Sequence, residues 1–189
     1  DTFTHESDFV FGHITKTILD KIAEKGRLKE DENGRLYVDL TGYNIPTKTP
    51  VLILTREDKT SLYPLRDIAY TIYKMNKNKD VNLIVLGEDQ KVYMEQISAV
   101  MDILGYGSPK LISYSFVLLN GDKMATREGK VVLLEDFINA TIDKLKNSFS
   151  ERGTELTNDE YLSLASSCIK YNMLNINRGK NINFNLDDA

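Results

Sequence analysis

Short apolar runs alternate with helical patterns through the middle of this chain, and few architectures tolerate that order. Residues 51–54, 81–86 and 111–119 each read as a strand brief enough for a buried sheet. Between the first two runs, Pro64 fits the first position of a helix whose buried face is Ile68, Ala69 and Ile72. Between the second and third, residues 92–104 predict a helix that turns Tyr93, Ile97, Val100, Met101 and Leu104 inward. This order predicts an α/β fold, a parallel sheet flanked by helices. In such sheets ligands bind beyond the carboxyl ends of the strands. The turn after Leu54 and the stretch Gly87-Glu88-Asp89-Gln90 both lie at such ends, which is the pattern of a small-molecule site.

The flanks read differently. Ile14, Ile18, Leu19 and Ile22 recur at helical spacing, and Gly26 stops that helix. Asn33-Gly34 then sits between strand-like arms over residues 28–40, a hairpin signal. After Glu135 the chain turns helical, with Phe137, Ile138, Ile142 and Leu145 on one face. Residues 147–157 read as a polar loop, and Leu162, Ala165, Ile169 and Met173 mark another helix. The asparagine-rich tail from Asn175 is expected to be loosely ordered unless docked. The resulting division is a helix and hairpin annex over 1–48, a nucleotide-fold segment over 49–135, and a helical segment over 136–189.

Composition removes several classes. At 189 residues, 41% hydrophobic and 28% charged, the chain can hold one core or a core plus an annex. No apolar run is long enough to span a bilayer, and no signal peptide is present, so the cytoplasm is the expected compartment. A net charge of −4 is not the footprint of a chain that holds nucleic acid over a broad surface. The lone cysteine, Cys168, excludes an internal disulfide and falls on a helical pattern as a small apolar residue. His5 and His13 form no metal cluster with it, and no tightly bound metal is expected. The absence of methionine before Asp1 fits a piece of a longer protein.

The stretch of residues 121–130 carries the strongest chemical signal. Lys123, Arg127 and Lys130 stand on a short loop bounded by Gly121 and Gly129, between strand-like runs at 111–119 and 131–134. Such cations can surround a polyphosphate and matter most as charge develops on a transferring phosphoryl group. A solvated hairpin tip would look the same on charge alone. The order Lys123-Met124-Ala125-Thr126-Arg127-x-Gly129 resembles the Lys-Met-Ser-Lys-Ser signature of class I aminoacyl-tRNA synthetases. It is closest to the Lys-Met-Ser-Thr-Arg-x-Gly version of arginyl-tRNA synthetases. Three more stretches match that family in order. Residues 60–70, Thr-Ser-Leu-Tyr-Pro-Leu-Arg-Asp-Ile-Ala-Tyr, resemble its Asp-Gly-Thr-Ser-Leu-Tyr-x-Thr-Arg-Asp-x-Ala-Tyr segment. Gly87-Glu88-Asp89-Gln90 with Gln96 resembles its Gly-x-Asp-Gln-x-x-His-x-x-Gln segment, and Glu6-Ser7-Asp8-Phe9 its Glu-Ser-x-Phe element.

The resemblance implies the second half of a Rossmann-like catalytic domain. It lacks the His-Ile-Gly-His-like half and the helical anticodon-binding domain. The nearest string, Gly12-His13-Ile14-Thr15, has the wrong order and sits on a helix pattern. The implied parent enzyme joins L-arginine to ATP, taken as its Mg2+ complex, and passes the arginyl group to tRNA(Arg). The 189 residues alone are expected to be inactive, with apolar faces of 51–54 or of the terminal helix partly uncovered. By resemblance, Glu6, Tyr63, Asp67 and Gln90 line the arginine pocket, with Asp67 and Tyr63 at the guanidinium. Gly87, Lys123, Met124 and Arg127 would meet ATP, Lys123 reaching the phosphates as pyrophosphate leaves.

Each residue has a plainer reading: Asp67 as a first-turn acid favoured by its helix dipole, Tyr63 as a core aromatic, Gly87 as a tight turn. The residues also make independent chemical sense, since a guanidinium needs carboxylates and planar acceptors, and Asp67 lies one turn after Tyr63. Four positions depart from the family pattern. Lys59 replaces a glycine, Leu65 a threonine, Tyr93 a histidine and Ala125 a serine. The Lys59 change bears on the tightness of its turn, and the Tyr93 change on an ATP-side contact. Two other readings remain at this stage: a class I synthetase of another amino-acid specificity, and a non-catalytic binding module on the same fold.

Overall fold

The structure is a computed structural model that describes residues 2–10, 13–77, 79–119, 122–123 and 133–184. It divides into two compact units, 1–112 and 113–189. In the first, helices α1 (Ser7–Val10) and α2 (Ile14–Glu24) lead into strands β1 (Leu28–Glu30), β2 (Leu36–Asp39) and β3 (Val51–Ile53). Helix α3 (Tyr63–Met75), strand β4 (Leu83–Gly87), a single 3-10 turn (Glu88–Gln90) and helix α4 (Lys91–Ile103) follow, and strand β5 (Lys110–Tyr114) begins in this unit and runs past its last residue.

The alternation read from the sequence is present, and the helices bury the residues expected of them. Ile68, Ala69 and Ile72 of α3 are buried, as are Ile97, Val100 and Met101 of α4, with Tyr93 and Leu104 packed at the margin. Ile18 and Ile22 of α2 complete this core, and Gly26 ends that helix with a positive φ of 68°. Burying side chains of this size contributes roughly 1.5–3 kcal/mol each. The core therefore fixes how α3 and α4 face each other.

The strands divide differently from a single sheet. β3 pairs antiparallel with β2, Val38 opposite Leu52, and β2 pairs antiparallel with β1, so residues 51–54 complete a meander. Leu52 and Leu54 are buried there, so of the two faces expected to be partly uncovered it is the terminal helix that is, with Leu162, Tyr171 and Leu174 exposed. β4 has β5 as its neighbour, with the Lys110 N–H donating to the Asn82 carbonyl at 2.8 Å. Apolar exposure falls also on β4, where Leu83 and Val85 point one way into solvent.

The Asn33-Gly34 hairpin is real, but its loop is five residues long, since Glu30 pairs with Leu36. The Asp31 carboxylate organises it by accepting from the backbone N–H groups of Asn33 (3.0 Å) and Arg35 (2.9 Å).

The second unit holds β6 (Val117–Leu119), β7 (Asp122–Lys123), α5 (Leu134–Glu151), α6 (Asn158–Leu174) and β8 (Ile182–Phe184). The run at 111–119 is thus two strands, interrupted at Ser115 and Phe116. Helix α5 continues through residues read as loop, leaving only 152–157 as the connection. Thr157 then starts α6 with a capping box: its hydroxyl accepts from the Glu160 N–H while the Glu160 carboxylate accepts from the Thr157 N–H. The buried stripe of α6 is Tyr161, Ala165 and Ile169, whereas Leu162 and Met173 are exposed. Cys168 is half-buried on this helix. The tail is docked, β8 running parallel to β6 with Ile182 opposite Val117. Among the described residues no helix is long and apolar enough to cross a membrane.

Lys59 stands in the left-handed region that favours glycine, with φ at 64°. Its amine donates to Glu30 at 2.7 Å and to the Gly34 carbonyl at 2.5 Å. A side chain there costs roughly 1–2 kcal/mol of backbone strain, which these exposed contacts offset only in part. Lys59→Gly is therefore expected to unfold at no lower urea concentration than the parent. Lys59→Val, β-branched in a left-handed position, is expected to lose on the order of 1–3 kcal/mol. Urea titration of both variants checks this.

The Glu160 carboxylate is held below its ordinary range, first by the Thr157 N–H and then by its hydroxyl. A depressed folded-state value means stability that is present at neutral pH and lost as pH falls through that value. Glu160→Gln is expected to flatten this part of the acid limb in a pH series of thermal melts.

Candidate functional site

Helix α3 offers two faces. Its buried side is Leu65, Ile68, Ala69 and Ile72, so Tyr63, Asp67, Tyr70 and Lys74, spaced by four, three and four, share the other. Leu62 precedes the helix in an extended conformation, and Pro64 in the first turn lacks an N–H that would have no helical partner. Thr55, fully buried, anchors the approach by accepting from the Leu36 N–H at 2.9 Å.

The exposed stripe of α3 meets β4 and the start of α4 around a cavity of about 310 Å³. Tyr63, Asp67 and Gln90 all line it, together with Tyr70, Lys74, Tyr93 and the apolar floor of Ile84 and Leu86. Tyr63 is 54% exposed, which sets aside a core role for its ring. Asp67 accepts at Oδ2 from the Tyr93 hydroxyl at 2.6 Å. The Tyr93 ring also lies against Tyr63, centroids 5.2 Å apart. Burial first, and then the bond to Asp67, pushes the Tyr93 phenol far above its ordinary value, so it stays a neutral donor. The Lys74 amine sits 4.5 Å over the Tyr70 ring. Burial pulls it below its ordinary value, against the opposing field of Asp67.

Gln90 ends the 3-10 turn and its amide donates to Asp89 at 2.9 Å, leaving its carbonyl oxygen as an acceptor at the cavity. Glu6 stands apart. It precedes α1, and its carboxylate accepts from the Arg66 guanidinium, one residue from Asp67 but outside the cavity lining. Phe9 packs α1 against Tyr70 and Tyr73, which sets where Glu6 lies. Gln96, matched by motif, donates to the Val51 carbonyl at 3.1 Å and so ties α4 to β3.

Of the positions assigned to ATP by resemblance, Gly87 closes β4 with φ at −61°, a conformation open to any residue. What excludes a Cβ there is the Asp89 carboxylate, 2.6 Å from where it would stand. Lys123 is on the return strand of a short hairpin, opposite Leu118. Met124 and Arg127 lie outside the described residues, as do Ala125 and Lys130.

Tyr70, Lys74 and Tyr93 were not selected as site residues from the sequence. The first two are signalled by the four-three-four spacing that starts at Tyr63, and Tyr93 was read as an inward helix residue and a departure.

A carboxylate braced by a phenol, an amide oxygen opposite and aromatic walls make a receptor for a planar cation. The family described as tRNA synthetases class I (R), catalytic domain, matches residues 2–186. The chain belongs to this family. Arginine–tRNA ligases of Methanococcus aeolicus and Methanocaldococcus jannaschii are 33% and 32% identical to it over its whole length. It spans about a third of the length of these curated relatives. In fold, it is similar to the arginyl-tRNA synthetase of Thermus thermophilus, with a TM-score of 0.77 and 17% identity over 96% of this chain and 37% of that one. The Plasmodium falciparum arginyl-tRNA synthetase gives 0.75 and 20% identity over 98% of this chain and 31% of that one.

The contact at Gly87 yields a prediction. Since only a side chain opposes a Cβ there, Gly87→Ala is expected to change folding stability by no more than about 0.5 kcal/mol. The displaced Asp89 would release the Gln90 amide, so the affinity of the cavity for a guanidinium probe is expected to fall while the melting temperature holds. Calorimetric titration beside a thermal melt checks both.

Proposed function

We propose that the protein containing these residues activates L-arginine with ATP and transfers it to tRNA(Arg). The observation that carries this reading is the Asp67 carboxylate, set beside Tyr63 and Gln90 around one cavity and braced by Tyr93. A volume of about 310 Å³ is ample for an amino-acid side chain. The guanidinium pairs with Asp67, and the Tyr63 ring and the Gln90 carbonyl limit its orientation. Glu6 enters only through Arg66, as an outer carboxylate one residue from Asp67 along the chain.

In this reading the arginine carboxylate attacks the α-phosphorus of Mg2+-bound ATP in line. The bond to the β-phosphate breaks, and pyrophosphate leaves with the electron pair. Catalysis then rests on positioning and on neutralising the departing charge. Lys123 is the proposed cation for that charge, with Met124 and Arg127 beside it in the signature segment and Gly87 near the nucleotide. The arginyl group passes to the terminal adenosine of the tRNA. With a net charge of −4 on these 189 residues, most tRNA contacts are assigned to the rest of the protein. The proposed setting is the cytoplasm, as for a soluble translation enzyme.

Two substitutions in the full-length protein test this. Asp67→Asn is expected to lower kcat/KM for arginine by a factor equivalent to about 2–5 kcal/mol, with a far smaller effect on the KM for ATP. Steady-state ATP–pyrophosphate exchange with tRNA present measures it, and unchanged arginine kinetics would remove the pocket assignment. Lys123→Ala is expected to slow single-turnover adenylate formation at saturating substrates while leaving arginine affinity nearly intact. A normal chemical rate with weakened arginine binding would contradict the role of Lys123.

A further inference from the structure

Tyr93 stands where the matching segment of the family has a histidine, yet it makes the shortest polar contact of the cavity, 2.6 Å to Asp67 Oδ2. It lies in the first turn of α4, three residues after Gln90. Its ring packs on Tyr63 and its hydroxyl holds Asp67, so one side chain of α4 touches both members of the α3 pair. We infer that Tyr93 is the positioning residue for Asp67, and that its phenol sets the affinity of this cavity for a cationic side chain. This rests on the reading of the cavity as the arginine pocket.

The argument is geometric. A carboxylate on a helix surface turns about its last torsion and presents its oxygens in many directions. A donor fixed on a second helix removes that freedom. Ile68, Ile97 and Met101 bury the contact between α3 and α4, so the phenol cannot follow Asp67 if it turns. Oδ1 has no hydrogen-bond partner among the described residues and is left for a ligand. A carboxylate has about four acceptor sites, so the phenol occupies only one of them.

The groups around Tyr93 favour an uncharged donor. Around the cavity, α3 supplies Asp67, Tyr63, Tyr70 and the Lys74 amine, β4 supplies Ile84 and Leu86, the 3-10 turn supplies Gln90, and α4 itself adds Met94 and Ile97. Lys74 is already a cation in this wall. An imidazolium would place a second one beside an incoming guanidinium, whereas the phenol braces the carboxylate without adding charge. An imidazole at this position would also change charge near neutral pH, and the phenol does not.

The test uses the full-length protein and measures ATP–pyrophosphate exchange with tRNA, varying arginine and ATP separately, from about pH 6 to 9. Tyr93→Phe removes one oxygen and keeps the ring. It is expected to raise the KM for arginine about tenfold, the loss of one hydrogen bond to a charged group, with the KM for ATP unchanged. Tyr93→His is expected to make the arginine KM vary with pH across the imidazole range, where the parent enzyme is flat. Asp67→Asn is run alongside. An effect of Asp67→Asn on arginine with none from Tyr93→Phe overturns the positioning role and leaves the pocket reading standing. No effect from Asp67→Asn overturns the pocket reading itself. Equal rises in both KM values for Tyr93→Phe assign the residue to general packing and also overturn the inference.

Discussion

Helix α3 can be buried on only one side, and the site follows from which side that is. Leu65, Ile68, Ala69 and Ile72 pack inward with α2 and α4, fully or nearly free of solvent. With 3.6 residues per turn, the same helix must then carry Tyr63, Asp67, Tyr70 and Lys74 on its other face. No separate device is needed to aim Asp67 at the cavity. Burial of four apolar side chains, worth several kcal/mol in sum, holds the carboxylate in place, and a loop could not do so at comparable cost. The cavity is bounded by β4 because the next strand closes back beside this helix. Its far end is made by Gln90 because a single 3-10 turn brings the chain from β4 into α4.

Much of this was legible in the sequence, for identifiable reasons. Strong periodicity decided α3 and α4: Ile68, Ala69, Ile72, Ile97, Val100 and Met101 are buried as read from it, whereas Tyr93 and Leu104 lie at the margin of the core. The grouping of Tyr63, Asp67 and Gln90 was legible through motif order and helix spacing together. Strand pairing was not, because periodicity marks a strand without naming its partner. Residues 51–54 were thus expected in one parallel sheet and are found antiparallel to β2. Residues 147–151 looked like a loop because they are polar, yet a solvated helical turn needs no apolar residue on its outer side. Likewise the tail after Asn175 has little apolar content, but the backbone groups of Ile182, Asn183 and Phe184 suffice to pair it with β6.

Two departures from the family pattern show how differently a substitution can be absorbed. Lys59 is tolerated at the backbone: it takes the left-handed conformation that favours glycine, and its amine finds Glu30 and the Gly34 carbonyl across the neighbouring hairpin. The turn is preserved, and the compensation is local and solvent-exposed. Tyr93 is absorbed by the site. A residue read from the sequence as an inward helix position projects its ring to the cavity and its hydroxyl to the one carboxylate of the wall. The first change bears on the backbone of a turn, whereas the second, on the proposed reading of the cavity, bears on recognition through what Asp67 can offer to a ligand.

The electrostatics of the cavity explain why a phenol suits that place. A lone carboxylate in a half-enclosed wall gains from any donor, and the strongest donors are cations. Yet a cation that pairs fully with Asp67 would occupy the charge that a guanidinium needs. Lys74 illustrates the compromise. Its amine lies over the Tyr70 ring and closes no ion pair on Asp67 among the described residues; burial weakens its hold on a proton, and the field of Asp67 opposes that. The Tyr93 hydroxyl restrains the same carboxylate with a neutral bond, which fixes direction and leaves the negative charge uncompensated. Orientation and charge are thereby supplied by different neighbours. A cationic ligand can then displace water from Asp67 without first breaking a salt bridge, and the cost of opening a competing pair never enters its affinity.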